Sequence, residues 1–259
     1  MEFWDSWWEK SQLPPPIDPF RRGLKNYPFR RFHKYFQKVF EGHPTQGKKL
    51  IEIGCAQSAM LPYFGKYFGF EVYGIDRSEI GCERARLILE REKVPGKIYR
   101  ADFFSPPEHL LGHFDVIFSQ GVVEHFENTA EAVKAVARLL NAEGKMLTSI
   151  PNITGPLRAY QKVLDRGIYD AQVPLDRESL ALAHQDAGLK VESCEYFLPI
   201  SLEVLNVASW RRGLPYWITI RTHGAISRFF WLVDDHLVSL KPNRLTSPYI
   251  NCIARKSPA

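Results

Sequence analysis

Three acidic residues close three successive short apolar runs: Glu52 in KLIEIG, Asp76 in FEVYGID and Asp102 in KIYRAD. Gly54 follows the first acid by two positions, and a glycine where a strand turns into a helix lets the backbone approach a ligand without a Cβ in the way. Ala56 and Ser58 are small and keep that turn tight. Asp76 lies about 20 residues beyond the glycine, the spacing at which a carboxylate can accept hydrogen bonds from a ribose diol. The constellation therefore suits a nucleoside. A dinucleotide fits it poorly, because Gly54-x-Ala56-x-x-Ala59 is a weak match to the GxGxxG fingerprint. Glu52 would also repel a pyrophosphate while favouring a ligand that carries an ammonium and a sulfonium.

For the three acids to converge, their runs must be parallel strands that end on one edge, where open α/β sheets bind ligands. From Lys48 the chain alternates such runs with amphipathic stretches. FDVIFSQ and GKMLTSI supply a fourth and a fifth strand, and near-continuous apolar runs of this kind belong to a sheet covered on both faces. Helices are expected over Glu79–Lys93, stopped by Pro95-Gly96, and from Asn128, a plausible N-cap, to Leu140. The alternation implies right-handed βαβ units and a doubly wound sheet. Asp176 opens a further helix that ends at Gly188. KVESCEYF and PYINCIAR follow as the last two strands, giving seven in all.

Two additions flank this pattern. Residues 1–47 hold Trp4, Trp7, Trp8, Pro14-Pro15-Pro16 and the run RRFHKYFQKVF, whose Phe32, Tyr35, Phe36, Val39 and Phe40 recur at helical spacing. That stripe either packs on the main domain, 48–259, or forms a lid over a site. An insertion at about 199–247 carries Trp210, Trp217, Phe229, Phe230 and Trp231.

Several classes are set aside by composition. A 259-residue chain with 45% hydrophobic and 24% charged residues is ordinary for a globular protein. Cys55, Cys82, Cys194 and Cys252 are scattered without metal or disulfide spacing, which fits a reduced, cytoplasmic protein. MEFWDSWWEK is acidic and lacks the apolar run of a signal peptide. No stretch approaches the roughly 18 apolar residues of a membrane-spanning helix. The formal charge of +5 is mild, and the basic residues are interleaved with acids rather than arrayed in a phosphate-tracking stripe, so no nucleic acid is expected.

The succession EIGCAQS, YGID, ADF and FDVIFSQGVVEHF resembles class I S-adenosylmethionine-dependent methyltransferases, in particular the group that includes ubiquinone- and menaquinone-biosynthesis enzymes. The resemblance covers Lys48 to about Pro151 well and the last two strands loosely. It implies an α/β, Rossmann-like, doubly wound seven-stranded sheet, mostly parallel with an antiparallel last strand; the first 47 residues and the insertion fall outside it, and they are expected to add an N-terminal helical lid and a late helical insertion. It also implies that Gly54 and its neighbours Cys55, Ala56 and Ser58 cradle the methionine portion of S-adenosylmethionine, with Glu52 nearby. Asp76 would hold the ribose, Arg77 would flank the adenine, Asp102 would bond the adenine amino group, and Phe103 would pack beside the ring. Gln120 would line the cofactor near its sulfonium. The family's later glycines are replaced by Ala56 and Ser58, both small.

Methyl transfer from a sulfonium needs alignment and exclusion of water, and a hydroxyl acceptor needs a base as well. His125, just past the fourth strand in VVEHF, has a pKa suited to that work. Alternatively Glu124 and His125 cap or orient the following loop. No metal is required. His109, His113, His184, His223 and His236 read as surface or capping residues. The Asn/Asp-Pro-Pro-aromatic run of amino-methyltransferases is absent, since this stretch reads SQGVVEH. The acceptor is therefore expected to be a small molecule, most simply methylated on oxygen. The aromatic and basic additions would suit an aromatic, glycosyl or lipid-like acceptor, a peripheral membrane contact or a dimer interface. Rival readings are a non-catalytic scaffold that binds S-adenosylmethionine and an NAD-binding oxidoreductase.

Overall fold

The computed structural model describes residues 8, 11–205, 207, 210, 211 and 213–256. Trp4, Trp7 and the acidic residues of the first ten positions lie outside the described residues. Seven strands form one sheet: β1 (Lys49–Ile53), β2 (Glu71–Asp76), β3 (Gly96–Arg100), β4 (Phe114–Gln120), β5 (Leu140–Pro151), β6 (Leu189–Phe197) and β7 (Tyr249–Lys256). Their order is β3-β2-β1-β4-β5-β7-β6. All neighbours are parallel except around β7, which runs antiparallel to both β5 and β6. Because β2 lies on one side of β1 and β4 on the other, the chain reverses its winding between β1 and β4. The crevice expected of such a switch point opens there.

Each strand alternates its side chains between two cores. Ile51, Ile53, Ile75, Ile117 and Ile150 face helices α4 (Thr129–Ala137) and α7 (Arg177–Asp186). Leu50, Val72, Val116 and Phe118 face α1 (Tyr27–Phe40), α2 (Met60–Phe68) and α3 (Glu79–Glu92). Glu52 shares the parity of Leu50 and is therefore an acidic residue set into an apolar face near the strand's end.

Helix ends follow their local chemistry. Asn128 Oδ1 accepts the Glu131 N–H at the start of α4, and Asp176 forms a reciprocal capping pair with Ser179 at the start of α7. Lys93 closes α3 in the left-handed region, with the Val94 N–H returning to the Leu89 carbonyl. The expected continuation of α4 to Leu140 does not occur. Leu140 pairs with Phe114 across a bulge and begins β5, so sheet pairing overrides helical propensity there. The pattern had also not revealed α2, or α5 (Gly155–Leu164) and α6 (Arg166–Asp170), which follow β5.

The aromatic stripe of α1 packs into the main domain: Phe36 meets Phe64 at 5.0 Å and Phe118 at 5.9 Å between ring centroids. Burying a phenylalanine side chain in this way stabilises by about 1.5–3 kcal/mol. The insertion contributes α8 (Leu214–His236), which is joined to the other end of α1. Tyr27 stacks on Trp231 at 5.4 Å, its hydroxyl donates to Asp234, Arg31 approaches Asp234 at 3.7 Å, and Arg30 pairs with Asp235. No helix among the described residues is long and apolar enough to cross a membrane.

Candidate active site

A cavity of about 570 Å³ occupies the crevice, within the range of small-molecule sites. The loop after β1 forms its floor. Gly54 has φ 70°, and a Cβ there would come within 2.6 Å of Val122 Cγ2, so the residue must be glycine for two reasons. Ala56 and Ser78 donate their backbone N–H groups to the two oxygens of Asp76, at 3.0 and 2.8 Å. Asp76 therefore ties the first loop to the start of α3 while it faces the cavity.

Glu52 is 4% exposed and also lines the cavity. Its Oε1 accepts the Ser58 hydroxyl at 2.8 Å, whereas Oε2 has no partner among the protein atoms. Burial pushes its carboxyl up to about 8, with the Ser58 bond pulling down and the Asp76 charge adding to the rise. A buried acid with one idle oxygen is primed for a cationic or donating ligand.

Of the other residues expected here, Ala56, Ser58, Arg77, Phe103, Gln120 and His125 line the cavity. Two expected residues do not. The Cys55 side chain is fully buried in the opposite core, close to Gly74, where a Cβ would lie 2.6 Å from its sulfur. Asp102 stands behind the wall, accepting the Phe104 N–H at 2.9 Å and approaching Arg77 at 3.6 Å, while its neighbours Ala101 and Phe103 reach the cavity. His184 and His223 are buried rather than superficial: His184 meets Thr148 and His223 meets Tyr160, at 2.8 and 2.9 Å.

His125 lies in a short 3-10 turn, Val123–His125, beyond β4. Its Nδ1 is 2.9 Å from the Ala171 carbonyl. A carbonyl can only accept, so Nδ1 carries the proton in this bond and Nε2 becomes the proton-accepting nitrogen. Gln120, Gly121 and His125 also border a second cavity of about 240 Å³. Among the described residues no group of three or more His, Cys, Asp or Glu side chains could hold a metal ion.

The N-terminal segment, expected either to pack on the main domain or to form a lid, supplies cavity residues that sequence reasoning did not single out. Trp8, Pro14, Pro15, Ile17 and Phe29 line the first cavity, and Gln57 links the floor to the same segment by bonding Ser11 and Gln12. The proline run was the available signal, since it cannot continue a helix and must cross the surface as extended chain.

A sheet of this order with β7 reversed, carrying an acidic nucleoside-sized crevice at its switch point, defines a class I S-adenosylmethionine-dependent methyltransferase. The methyltransferase domain family's model matches residues 20–194, over half of the chain, and the chain belongs to that family. Over 162 residues it is 29% identical to a ubiquinone biosynthesis O-methyltransferase of Thiobacillus denitrificans, covering 58% of this chain and 67% of that protein. The counterpart of that enzyme in Acinetobacter baylyi is 26% identical over 158 residues, covering 56% and 65%. The chain thus spans about two thirds of the length of these relatives. A geranyl diphosphate C-methyltransferase of Streptomyces coelicolor A3(2), solved with Mg2+, geranyl diphosphate and S-adenosyl-L-homocysteine, shares the fold with a TM-score of 0.61. It is 12% identical, and the match covers 98% of this chain and 97% of that one.

Proposed function

We propose that the protein methylates a hydroxyl oxygen of a small molecule, with His125 as the base. The observation that carries this reading is the His125–Ala171 bond, which assigns the ring proton to Nδ1 and the basic nitrogen to Nε2 in a residue that lines both cavities. The relatives named as ubiquinone biosynthesis O-methyltransferases support an oxygen acceptor.

The residues of the larger cavity fit the cofactor. Glu52 Oε2 would receive the ammonium of the methionine end, Gly54 gives room for its backbone to approach, and Asp76 would accept from the ribose hydroxyls. Arg77 and Phe103 would flank the adenine, with Asp102 positioned through Arg77. S-adenosylmethionine, when bound, supplies a methyl group on an activated sulfonium leaving group. Gln120 and His125 would hold the acceptor hydroxyl in line with it, and His125 Nε2 would take the hydroxyl proton. Residues 1–47 serve as a lid in this reading, excluding water through Pro14, Pro15 and Ile17.

Isothermal titration with S-adenosylmethionine, S-adenosylhomocysteine and NADH tests the cofactor. Micromolar binding of the two sulfur nucleosides alone is expected, and binding of NADH in their place would overturn the reading. A radiolabelled-methyl assay with phenolic acceptors tests the chemistry, and transfer to nitrogen or carbon alone would overturn the oxygen assignment.

A further inference from the structure

The smaller cavity sets several polar side chains among apolar ones such as Ile153, Ile168 and Val204. Glu124 is 2% exposed, and both of its carboxylate oxygens lack a partner. Gln172 Oε1 and the Ser149 hydroxyl, also on the wall, are buried and equally without a partner. Glu203 stands at the edge of the same space. No lysine or arginine is among the described residues that line it. Lys25 and Arg228 act on Glu203 without lining the cavity, and among the described residues no cation acts on Glu124. Leaving one buried polar group unsatisfied costs about 1–3 kcal/mol, and an isolated carboxylate costs more. Four such oxygen atoms around one space therefore point to a ligand that brings the missing donors.

We propose that this cavity is the acceptor chamber and that it selects a small hydroxylated molecule carrying a protonated amine, held by Glu124 beside Gln120 and His125. The inference rests on the methyl-transfer reading and deepens it. At about 240 Å³ the chamber falls below the roughly 300–1,000 Å³ of drug-sized sites, so the acceptor is compact. An anionic acceptor would meet Glu124 with no lysine or arginine among the described residues on the wall. Glu124 also offers a signature of its own. Burial pushes its carboxyl up to about 8, so without a ligand it holds its proton near neutrality. An ammonium bound against it favours the ionised form, and binding must then release a proton to the buffer.

The test uses three matched phenols of different charge, tyramine, para-ethylphenol and para-hydroxyphenylacetate, titrated into protein pre-loaded with S-adenosylhomocysteine. Tyramine should bind at least about tenfold more tightly than the other two, a difference of about 1.4 kcal/mol. Its binding enthalpy at pH 7 should vary with the ionisation enthalpy of the buffer, as proton release requires. Glu124→Gln should remove both the preference and the buffer dependence without changing affinity for S-adenosylhomocysteine. The wild-type measurements stand even if that variant fails to fold. Equal binding of the three, binding of none, or preference for the anion would overturn the chamber. Failure of the wild-type protein to bind S-adenosylhomocysteine would instead strike the cofactor reading beneath it.

Discussion

Ser58 donates its hydroxyl to Glu52 Oε1 at 2.8 Å, and this one bond fixes which oxygen of the buried carboxyl is left to a ligand. It is also the contact that lowers the pKa of an acid otherwise raised by burial. Ser58→Ala should therefore leave Glu52 more fully protonated at neutral pH and weaken S-adenosylmethionine binding by about tenfold, as loss of a charge-assisted hydrogen bond does. Titration at pH 7 and pH 9 checks this, because the deficit should shrink at the higher pH, where Glu52 ionises regardless.

The stability contributed by Glu52 and Glu124 should fall as pH rises from about 4.5 to about 8. Both keep their protons up to about 8 when folded but release them near 4.5 when unfolded, so at these two sites the folded state binds more protons across that window. Burial lowers the pKa of His33, His113, His184 and His223, and these contribute the opposite slope below about 6.5. The carboxyl contribution is therefore read as a difference: melting temperatures of the double Glu52→Gln, Glu124→Gln variant, relative to the wild type, should rise with pH across the window, with Glu124→Gln in between. A difference that stays constant with pH would contradict the assignment.

Gly54→Ala should destabilise by at least about 1–2 kcal/mol from its left-handed backbone alone, with the contact to Val122 added. Pairing it with Val122→Ala separates the two effects. Chemical denaturation should recover only the part due to the clash, and full recovery would mean that the backbone conformation carries no cost.

Asp76→Ala removes the proposed ribose partner and also frees the N–H groups of Ala56 and Ser78. Cofactor affinity should drop by more than the ~1.5–3 kcal/mol of one charged hydrogen bond, since the loop loses its tie as well. Calorimetry that returns wild-type affinity would remove Asp76 from the site.

His125→Ala should bind S-adenosylmethionine normally yet turn over a hydroxyl acceptor about 10²–10⁴-fold more slowly. Its kcat should also lose the fall towards acid pH that a histidine base produces. An unchanged rate would assign His125 to loop orientation through Ala171 instead.

Much of the sheet was legible because its strands are buried on both faces, so β1, β2, β4 and β7 read as apolar runs between turns. The three acids were legible because each interrupts such a run at its end. What escaped was set by distant contacts. Nothing local distinguishes Cys55, turned towards Gly74, from Ala56, turned towards the cavity, because the backbone between them decides the matter. Glu124 looked like a loop residue, and only the packing of Gln172 and Ser149 around the same space gives it a chemical role. Helix α2 was hidden by Pro62, which is tolerated in its first turn. The last turns of the predicted α4 were lost to pairing with Phe114.

The Tyr27–Trp231 stack and its flanking ion pairs bind together two segments that are some 200 residues apart in sequence. One of them roofs the larger cavity through Pro14, Pro15 and Ile17, while the other, through Glu203 and Val204 at its start, borders the smaller cavity beside it. As inheritance, the two additions are then a single unit of change. A graft that exchanged the insertion for a relative's, in the hope of changing the acceptor, would leave Tyr27, Arg30 and Arg31 facing strangers. The part that can be transplanted is the pair.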